Sequence, residues 1–243
     1  MIVLFTDFGA ADPYVGQVKA VLHRAAPRTP IVDALNEAPD FGIQPAAHLL
    51  AALAPQYPNG SLFLTVVDPG VGGPRGAIVV DADGRRFVGP DNGLLSVVWQ
   101  RARRRRCRRV VWRPASMSAS FHGRDLFAPV AAALAGGRPP ARWFAPLRTP
   151  AVLLDAADLA QIIYVDHYGN AMTGVRAAAI PRGSRLRVGN RTVSRAETFS
   201  AARSGAAFWY ANSIGLAEIA ANQASAARKL GLRIGSRVGV LGR

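Results

Sequence analysis

An acid and a guanidinium stand at the two ends of one tight loop, Asp68-Pro69-Gly70-Val71-Gly72-Gly73-Pro74-Arg75. The loop follows an apolar, β-branched run, Leu62-Phe63-Leu64-Thr65-Val66-Val67, with the length of a buried strand. Asp68 therefore falls at the strand's C-terminal end, where open α/β sheets bind ligands. The glycines and prolines force an irregular backbone that can approach a ligand closely. The plain alternative is an ordinary turn with a surface ion pair, an interaction of little energetic weight. Asp7 and Asp12 bracket a second loop after an N-terminal strand. A carboxylate there can take both hydroxyls of a ribose, although Asp12-Pro13 also reads as an N-cap followed by proline at the first helical position. Phe41 lies between polar residues and can stack on a flat ligand or cover a sheet edge. His122-Gly123-Arg124-Asp125 precedes a helix, and a lone histidine there can be catalytic or merely structural. His23 and His48 lie on helical patterns and read as structural. Asp166-His167-Tyr168-Gly169-Asn170 follows an apolar strand; Asp166 and Asn170 could recognise an amine or amide edge, and the stretch is also a good turn. Asn212-Ser213 with Glu218 and Asn222 completes the set. No metal-ligand cluster, nucleophile elbow, Walker loop or glycine-rich dinucleotide fingerprint is present, so no metal is expected.

The elements that must position these groups fall into two patterns. Strand signals at 2–5, 31–33, 62–67, 77–80, 86–88 and 110–112 alternate with helical patterns at 13–24, 44–53, 94–99 and 126–134. This predicts an α/β domain with a mostly parallel, helix-covered sheet. The alternation stops near Gly136-Gly137-Arg138-Pro139-Pro140. From Val152 onward come short strands separated by turns, at 162–165, 185–188, 192–193, 208–210, 216–219 and 237–240. They predict a small antiparallel β domain, sandwich or barrel. The expected boundary is near residue 150, giving an α/β domain at 1–150 and a β domain at 151–243.

The 243 residues are half apolar, enough for a real core in one large or two smaller domains. No apolar run reaches the length of a membrane span. Met1-Ile2-Val3-Leu4-Phe5 runs straight into Thr6-Asp7 without a basic n-region, so it reads as a strand and not a signal peptide. The single Cys107 excludes an internal disulfide framework. A cytoplasmic protein with no membrane partner is expected. The net charge of +15 would ordinarily suggest nucleic acid. Nearly all of it is arginine spread along the chain, and the dense run from Arg101 to Arg109 has no interleaved aromatics for base stacking. A solvated helix end or subunit contact is the preferred reading of that run, with a polyanion patch as the lesser one.

Thr6-Asp7-Phe8-Gly9 with Asp12-Pro13-Tyr14-Val15-Gly16, Val67-Asp68-Pro69-Gly70-Val71-Gly72 with Arg75, Gly89-Pro90-Asp91-Asn92-Gly93, Phe121-His122-Gly123-Arg124-Asp125, the stretch from Asp166 to Asn170, and Asn212-Ser213 through Asn222 occur in order. Together they resemble the S-adenosylmethionine hydroxide adenosyltransferases, hydrolase relatives of the nucleoside fluorinases and chlorinases. The resemblance covers nearly the whole chain. It implies an N-terminal α/β domain, a C-terminal β-barrel domain and a homotrimer, with substrate between the N-terminal domain of one subunit and the C-terminal domain of its neighbour. It implies hydrolysis of S-adenosyl-L-methionine to adenosine and L-methionine with no cofactor. Its catalytic set maps onto Asp68, Arg75 and His122, its ribose contacts onto Asp7 or Asp12, and its aromatic wall onto Phe41. Asp166 and Ser213 match the methionine end, Asn170 and the stretch around Asn222 the adenine end, and Glu218 a substrate-lining motif.

Substitution at the 5′ carbon expels a neutral thioether from a sulfonium, so the leaving group needs no acid or metal. The demand falls on water, whose pKa of ~15.7 must be overcome by alignment and proton removal. Asp68 can orient the water or accept its proton. Arg75 nearby favours the charged carboxylate, which is also a weaker base, so Asp68 is not assigned as sole base and His122 is a second choice. The sequence departs from the family pattern at Asn36, where His is common, at Tyr168 for Phe, at Gly174 for Asn, and at Gln223-Ala224 for an Arg-Gly pair near the adenine. Ala cannot take every backbone shape that Gly can. The rival readings are a halide-using relative making 5′-halo-adenosine, a non-catalytic S-adenosylmethionine or nucleoside binder, and a polyanion binder using the arginine run.

Overall fold

The computed structural model describes residues 1–137 and 139–242, so Arg138 of the glycine-proline stretch lies outside the described residues. The chain divides into two units, Met1–Asp155 and Ala156–Arg243. The first runs through β1 (Ile2–Thr6), α1 (Pro13–Ala25), β2 (Ile31–Leu35), α2 (Ile43–Leu53), β3 (Leu62–Val66) and β4 (Ala77–Ala82). It continues with β5 (Arg85–Pro90), α3 (Ser96–Arg101), β6 (Arg105–Val110), α4 (Ala128–Ala135) and β7 (Phe144–Leu147). The seven strands make one sheet in the order β2-β1-β3-β5-β4-β6-β7. Pairing is parallel across β2-β1-β3-β5 and antiparallel across β5-β4-β6-β7.

β1 and β3 are buried along their whole length, as continuous apolar strands covered on both faces must be. Ile2, Leu4, Leu62 and Leu64 turn to one face, where Val18 and Leu22 of α1 and Val130 and Leu134 of α4 cover them. Phe63 turns to the other face and stacks on Phe87 with centroids 4.9 Å apart. Leu22 is fully buried; truncating such a side chain to Ala costs about 2–5 kcal/mol. This core fixes the ends of β1 and β3, from which the loops carrying Asp7 and Asp68 depart.

The arginine run is not a solvated helix end. Arg101 closes α3, and the strand expected at 110–112 lies instead at Arg105–Val110. Cross-strand pairing overrides polarity here. β6 sits between β4 and β7, with Cys107 and Val110 turned inward and buried. Arg108 lies over the Phe144 ring at 4.8 Å and 3.6 Å from Asp81 of β4.

The second unit contains β8 (Leu159–Val165), β9 (Ala171–Arg176), β10 (Arg185–Val188), β11 (Arg191–Val193), β12 (Ala207–Ala211), β13 (Leu216–Ala221), α5 (Ala226–Leu230) and β14 (Val238–Leu241). Two antiparallel sheets form, β12-β13-β9-β8 and β11-β10-β14. The expected barrel is corrected: among the described residues no sheet closes. At one seam β8 meets the β14 side through the single bridge Gln161–Arg237, and β8 is irregular in register. At the other, β11 is only three residues long, and beyond it Arg195 makes one bridge to Trp209. Trp209, Leu186 and Ile219 fill the space between the sheets, all nearly or fully buried.

Candidate active site

Asp68 lies just past the end of β3, where the backbone leaves the sheet in a turn closed by Val71 N–H donating to the Asp68 carbonyl at 3.1 Å. Gly72 has φ +81°, and a Cβ there would lie 2.7 Å from the Ala119 carbonyl oxygen. Only glycine satisfies both the angle and the approach. The loop returns Arg75 onto Asp68. Arg75 Nε donates to Oδ1 at 3.1 Å and to Oδ2 at 2.9 Å, and a terminal guanidinium nitrogen also donates to Oδ2. The pair is nearly dry, with the Asp68 side chain 2% and the Arg75 side chain 11% exposed. Phe127 lies beneath the guanidinium, its centroid 5.3 Å from Cζ.

The same terminal nitrogen of Arg75 lies 2.9 Å from His122 Nδ1. A guanidinium can only donate, so Nδ1 is the acceptor, the imidazole is neutral, and its proton sits on Nε2. Burial first, and the Arg75 charge second, hold the His122 pKa below its ordinary 6.5, with Asp68 opposing. His122 leads into a single π-helical turn, Gly123–Phe127, which runs on into α4; such wide turns occur often at functional sites. The helix expected at 126–134 is therefore entered through this turn, at the histidine.

Asp7, Asp12, Phe41 and Asp68 line one cleft of about 580 Å³ in the first unit. Asp12 takes the N-cap backbone shape but makes no side-chain cap bond, and its carboxylate lies against Gly9. Burial, the largest cause, raises the Asp7 pKa against the N–H bonds that lower it, one of them from Phe41. Phe41 holds φ +59° and is 76% exposed. A non-glycine residue in that region is strained, and strain of this kind gathers at ligand sites. Phe8, Tyr14 and Phe121 complete the wall as an edge-packed cluster with centroids 5.5–6.3 Å apart. A Cβ on Gly123 would lie 2.6 Å from Phe8 Cζ, so that glycine lets the wall close over the π turn.

Sequence reasoning gave no role to Asn92, Phe8, Tyr14 or Phe121, although each lies inside a quoted motif. Asn92 Nδ2 donates to the Val67 carbonyl at 2.9 Å and approaches Asp68 Oδ1 at 3.5 Å, while its Oδ1 accepts from Leu94 N–H at 3.1 Å. It pins the end of β3 beside Asp68. Asn36, the departure from His, accepts from the Thr6 hydroxyl at 3.0 Å and is buried.

The other named residues lie in the second unit. Asp166 Oδ1 accepts from Asn170 N–H at 2.8 Å and Oδ2 from Asn170 Nδ2 at 2.9 Å, so the two close a turn. Tyr168 stands on that turn, 75% exposed. Glu218 is buried; Tyr210 donates to Oε1 at 2.9 Å and Asn212 Nδ2 to Oε2 at 2.6 Å. Burial raises the Glu218 pKa more than those bonds lower it, and nearby Asp166 adds to the rise. With both oxygens engaged, Glu218 fixes Tyr210 and Asn212 and leaves Ser213 on an exposed turn beside them. Asn222 donates to the Ala202 carbonyl at 2.8 Å. Gln223, not Ala224, carries the left-handed backbone at φ +54°. Among the described residues no three His, Cys, Asp or Glu side chains are grouped as a metal site.

A carboxylate locked by a guanidinium at a sheet end, in a cleft with acids and aromatics, suits in-line displacement on a nucleoside-like ligand. The SAM hydroxide adenosyltransferase N-terminal domain model matches residues 2–143 and the C-terminal domain model residues 160–239, and the chain belongs to that family. It is 38% identical to the (R)-S-adenosyl-L-methionine hydrolase of Thermus thermophilus, covering 99% of each chain. It is 37% identical to the protein of the same name from Salinispora arenicola, covering 97% of this chain and 95% of that one. An uncharacterized conserved protein from Thermotoga maritima has a similar solved structure, with TM-score 0.89 and 32% identity over the whole of both chains.

Proposed function

We propose that this chain hydrolyses (R)-S-adenosyl-L-methionine to adenosine and L-methionine. The observation that carries the reading is the contact of Asp68, Arg75 and His122 at the cleft end of β3. A water held by Asp68 attacks the 5′ carbon from the side opposite sulfur. The new C–O bond forms as the C–S bond breaks, its electron pair stays on sulfur, and the sulfonium becomes neutral methionine. The water proton passes to Asp68. Of the two carboxylate oxygens, Oδ2 takes the closer Arg75 contacts, which leaves Oδ1 the freer acceptor. His122 does not take that proton at Nδ1, because Arg75 occupies the lone pair; its Nε2–H donates to an oxygen of the water or sugar. Alignment of water and carbon supplies the larger share of rate, since effective molarities of about 10⁵–10⁸ M attend well-oriented pairs.

The cleft also suits the charge of the substrate. Asp7 and Asp12 line it beside the Arg75-paired Asp68, among the described residues against Arg124 alone, and Arg124 is already bound to Asp125 and Gln17. A sulfonium thus meets an acidic cleft on a basic protein, and local charge outweighs the distant arginines through screening. Asp7 or Asp12 holds the ribose and Phe41 covers the base. Asp166 and Ser213 serve the methionine end and Asn170 and Asn222 the adenine end, with Tyr168 as a further substrate contact and Glu218 as support. A homotrimer that joins these two sets across subunits, working in the cytoplasm without a cofactor, completes the proposal. No helix of the described residues is long and apolar enough to cross a membrane. The test is incubation with the substrate, with and without chloride or fluoride, read by mass spectrometry. Adenosine and methionine in equal amounts at every halide level are expected; 5′-halo-adenosine as the main product would overturn the hydrolase reading.

A further inference from the structure

At the opposite end of the first unit's sheet from Asp68, a second cleft of about 560 Å³ opens where β3 begins and the β4–β5 hairpin turns. Ser61 and Asp68 flank β3 at its two ends, roughly 23 Å apart at about 3.3 Å per residue. Arg85, Arg86, Arg104, Arg105 and Arg106 line it, with Asp81 and Asp83 for acids. We propose that this cleft binds a small condensed-phosphate anion, of pyrophosphate or tripolyphosphate type, independently of the reaction site.

The acids there are already engaged. Asp83 accepts from the backbone N–H groups of Arg103 at 3.1 Å and Arg104 at 2.9 Å. Asp81 is held by Arg86 at 2.6 Å and Arg108 at 3.6 Å. Two arginines are spent on the fold: Arg85 donates to the carbonyls of Tyr57 at 2.9 Å and Pro55 at 3.2 Å, and Arg105 to that of Trp99 at 2.9 Å. Arg104 and Arg106 are exposed, and among the described residues neither guanidinium has a hydrogen-bond or ion-pair partner. Arg106 is not a floppy surface residue, because β6 holds it in register opposite Asp81 of β4. Its cation is thus presented by a paired strand with no carboxylate of its own.

A second observation is independent of charge. Ser61 stands in the wall of the cleft, 1% exposed, and its hydroxyl has no partner among the described residues. A buried hydroxyl is costly without an acceptor or donor, and a ligand oxygen would supply one. The anion is a phosphate because guanidinium forks match its oxygens two at a time. It is a condensed phosphate rather than a nucleotide or RNA, because among the described residues no aromatic side chain lines the cleft to stack a base.

Isothermal titration of the whole chain with tripolyphosphate, at fixed ionic strength, tests this. One site per chain is expected, and Arg104→Ala/Arg106→Ala weakens it by about tenfold or more, as loss of two charge-assisted contacts requires. Ser61→Ala lowers affinity without lowering the melting temperature, since the hydroxyl bonds nothing in the fold. Circular dichroism and S-adenosylmethionine turnover of the variants, both unchanged, show that the fold is intact. Equal affinity of the double variant overturns the proposal. So does sulfate binding as tightly as tripolyphosphate, or a single-stranded oligonucleotide displacing it at equal total charge, which would make the cleft a nucleic-acid surface.

Discussion

Replacing Asp68 with Asn keeps the shape of the side chain and removes its charge. In the native site Oδ2 receives Arg75 Nε at 2.9 Å and a terminal nitrogen of the same guanidinium. The Asn oxygen keeps the place of Oδ2, where the two closer donors are, which sets the amide nitrogen against Arg75 Nε at the Oδ1 place, 3.1 Å in the native site. Its NH₂ then stands where Oδ1 stood, and a donor replaces the acceptor that holds the water. Loss of a general base lowers turnover by about 10²–10⁴. Arg75, 11% exposed, also loses its counter-charge. Breaking a buried pair costs about 3–5 kcal/mol, and the retained amide oxygen puts this variant at the low end. That lies within the usual folding stability of about 5–15 kcal/mol, so the variant folds. Single-turnover release of adenosine gives the chemical step, and a denaturant melt gives the stability. Turnover within about threefold of the parent, with an unchanged melt, would refute both the base and the buried ion pair.

His122 gives a pH test. Its folded pKa is depressed below 6.5, so its contribution to stability is full above that pH and is lost as pH falls through the folded value. Protonation at Nδ1 sets a cation against Arg75, so kcat/KM is expected to stay level down through pH 6.5 and fall only below it. His122→Gln abolishes that acid limb; a limb centred at or above 6.5 would contradict the tautomer. Gly123→Ala sets a Cβ 2.6 Å from Phe8 Cζ. It should cost about 1–3 kcal/mol and raise KM more than it lowers kcat, read by melts and steady-state kinetics. An unchanged KM would remove Phe8 from the cleft wall.

The parts legible in the sequence were those where local pattern and burial agree. The runs before Asp7 and Asp68 are apolar but for Thr6 and Thr65, and β1 and β3 are buried at every position. Asp68 and Arg75 share one loop, so their meeting could be anticipated as a turn with an ion pair. His122 could not be placed by spacing, because it stands 47 residues from Arg75 and arrives through the fold. β6 was hidden since its sequence is mostly arginine, and only its neighbours β4 and β7 make it a strand. β9 was passed over for a similar reason: Gly174 interrupts it, yet a Cβ there would lie 2.6 Å from that of Leu159, so the close packing of β8 demands the glycine. The role of Asn92 was invisible because its partners are a backbone carbonyl and Asp68 itself. The strand pattern left sandwich or barrel open and the family resemblance implied the barrel; whether a sheet closes depends on seam hydrogen bonds that no short pattern encodes.

The most direct measurement of the central claim is the fate of heavy-oxygen-labelled water. Turnover of S-adenosyl-L-methionine in such water, followed by mass spectrometry of both products, locates the atom that attacks. In-line attack at the 5′ carbon puts the label in the 5′ hydroxyl of adenosine and none in methionine, and the label is retained in the residual product of Asp68→Asn. Unlabelled adenosine, or label in methionine, would contradict the displacement on which every role given to Asp68, Arg75 and His122 rests.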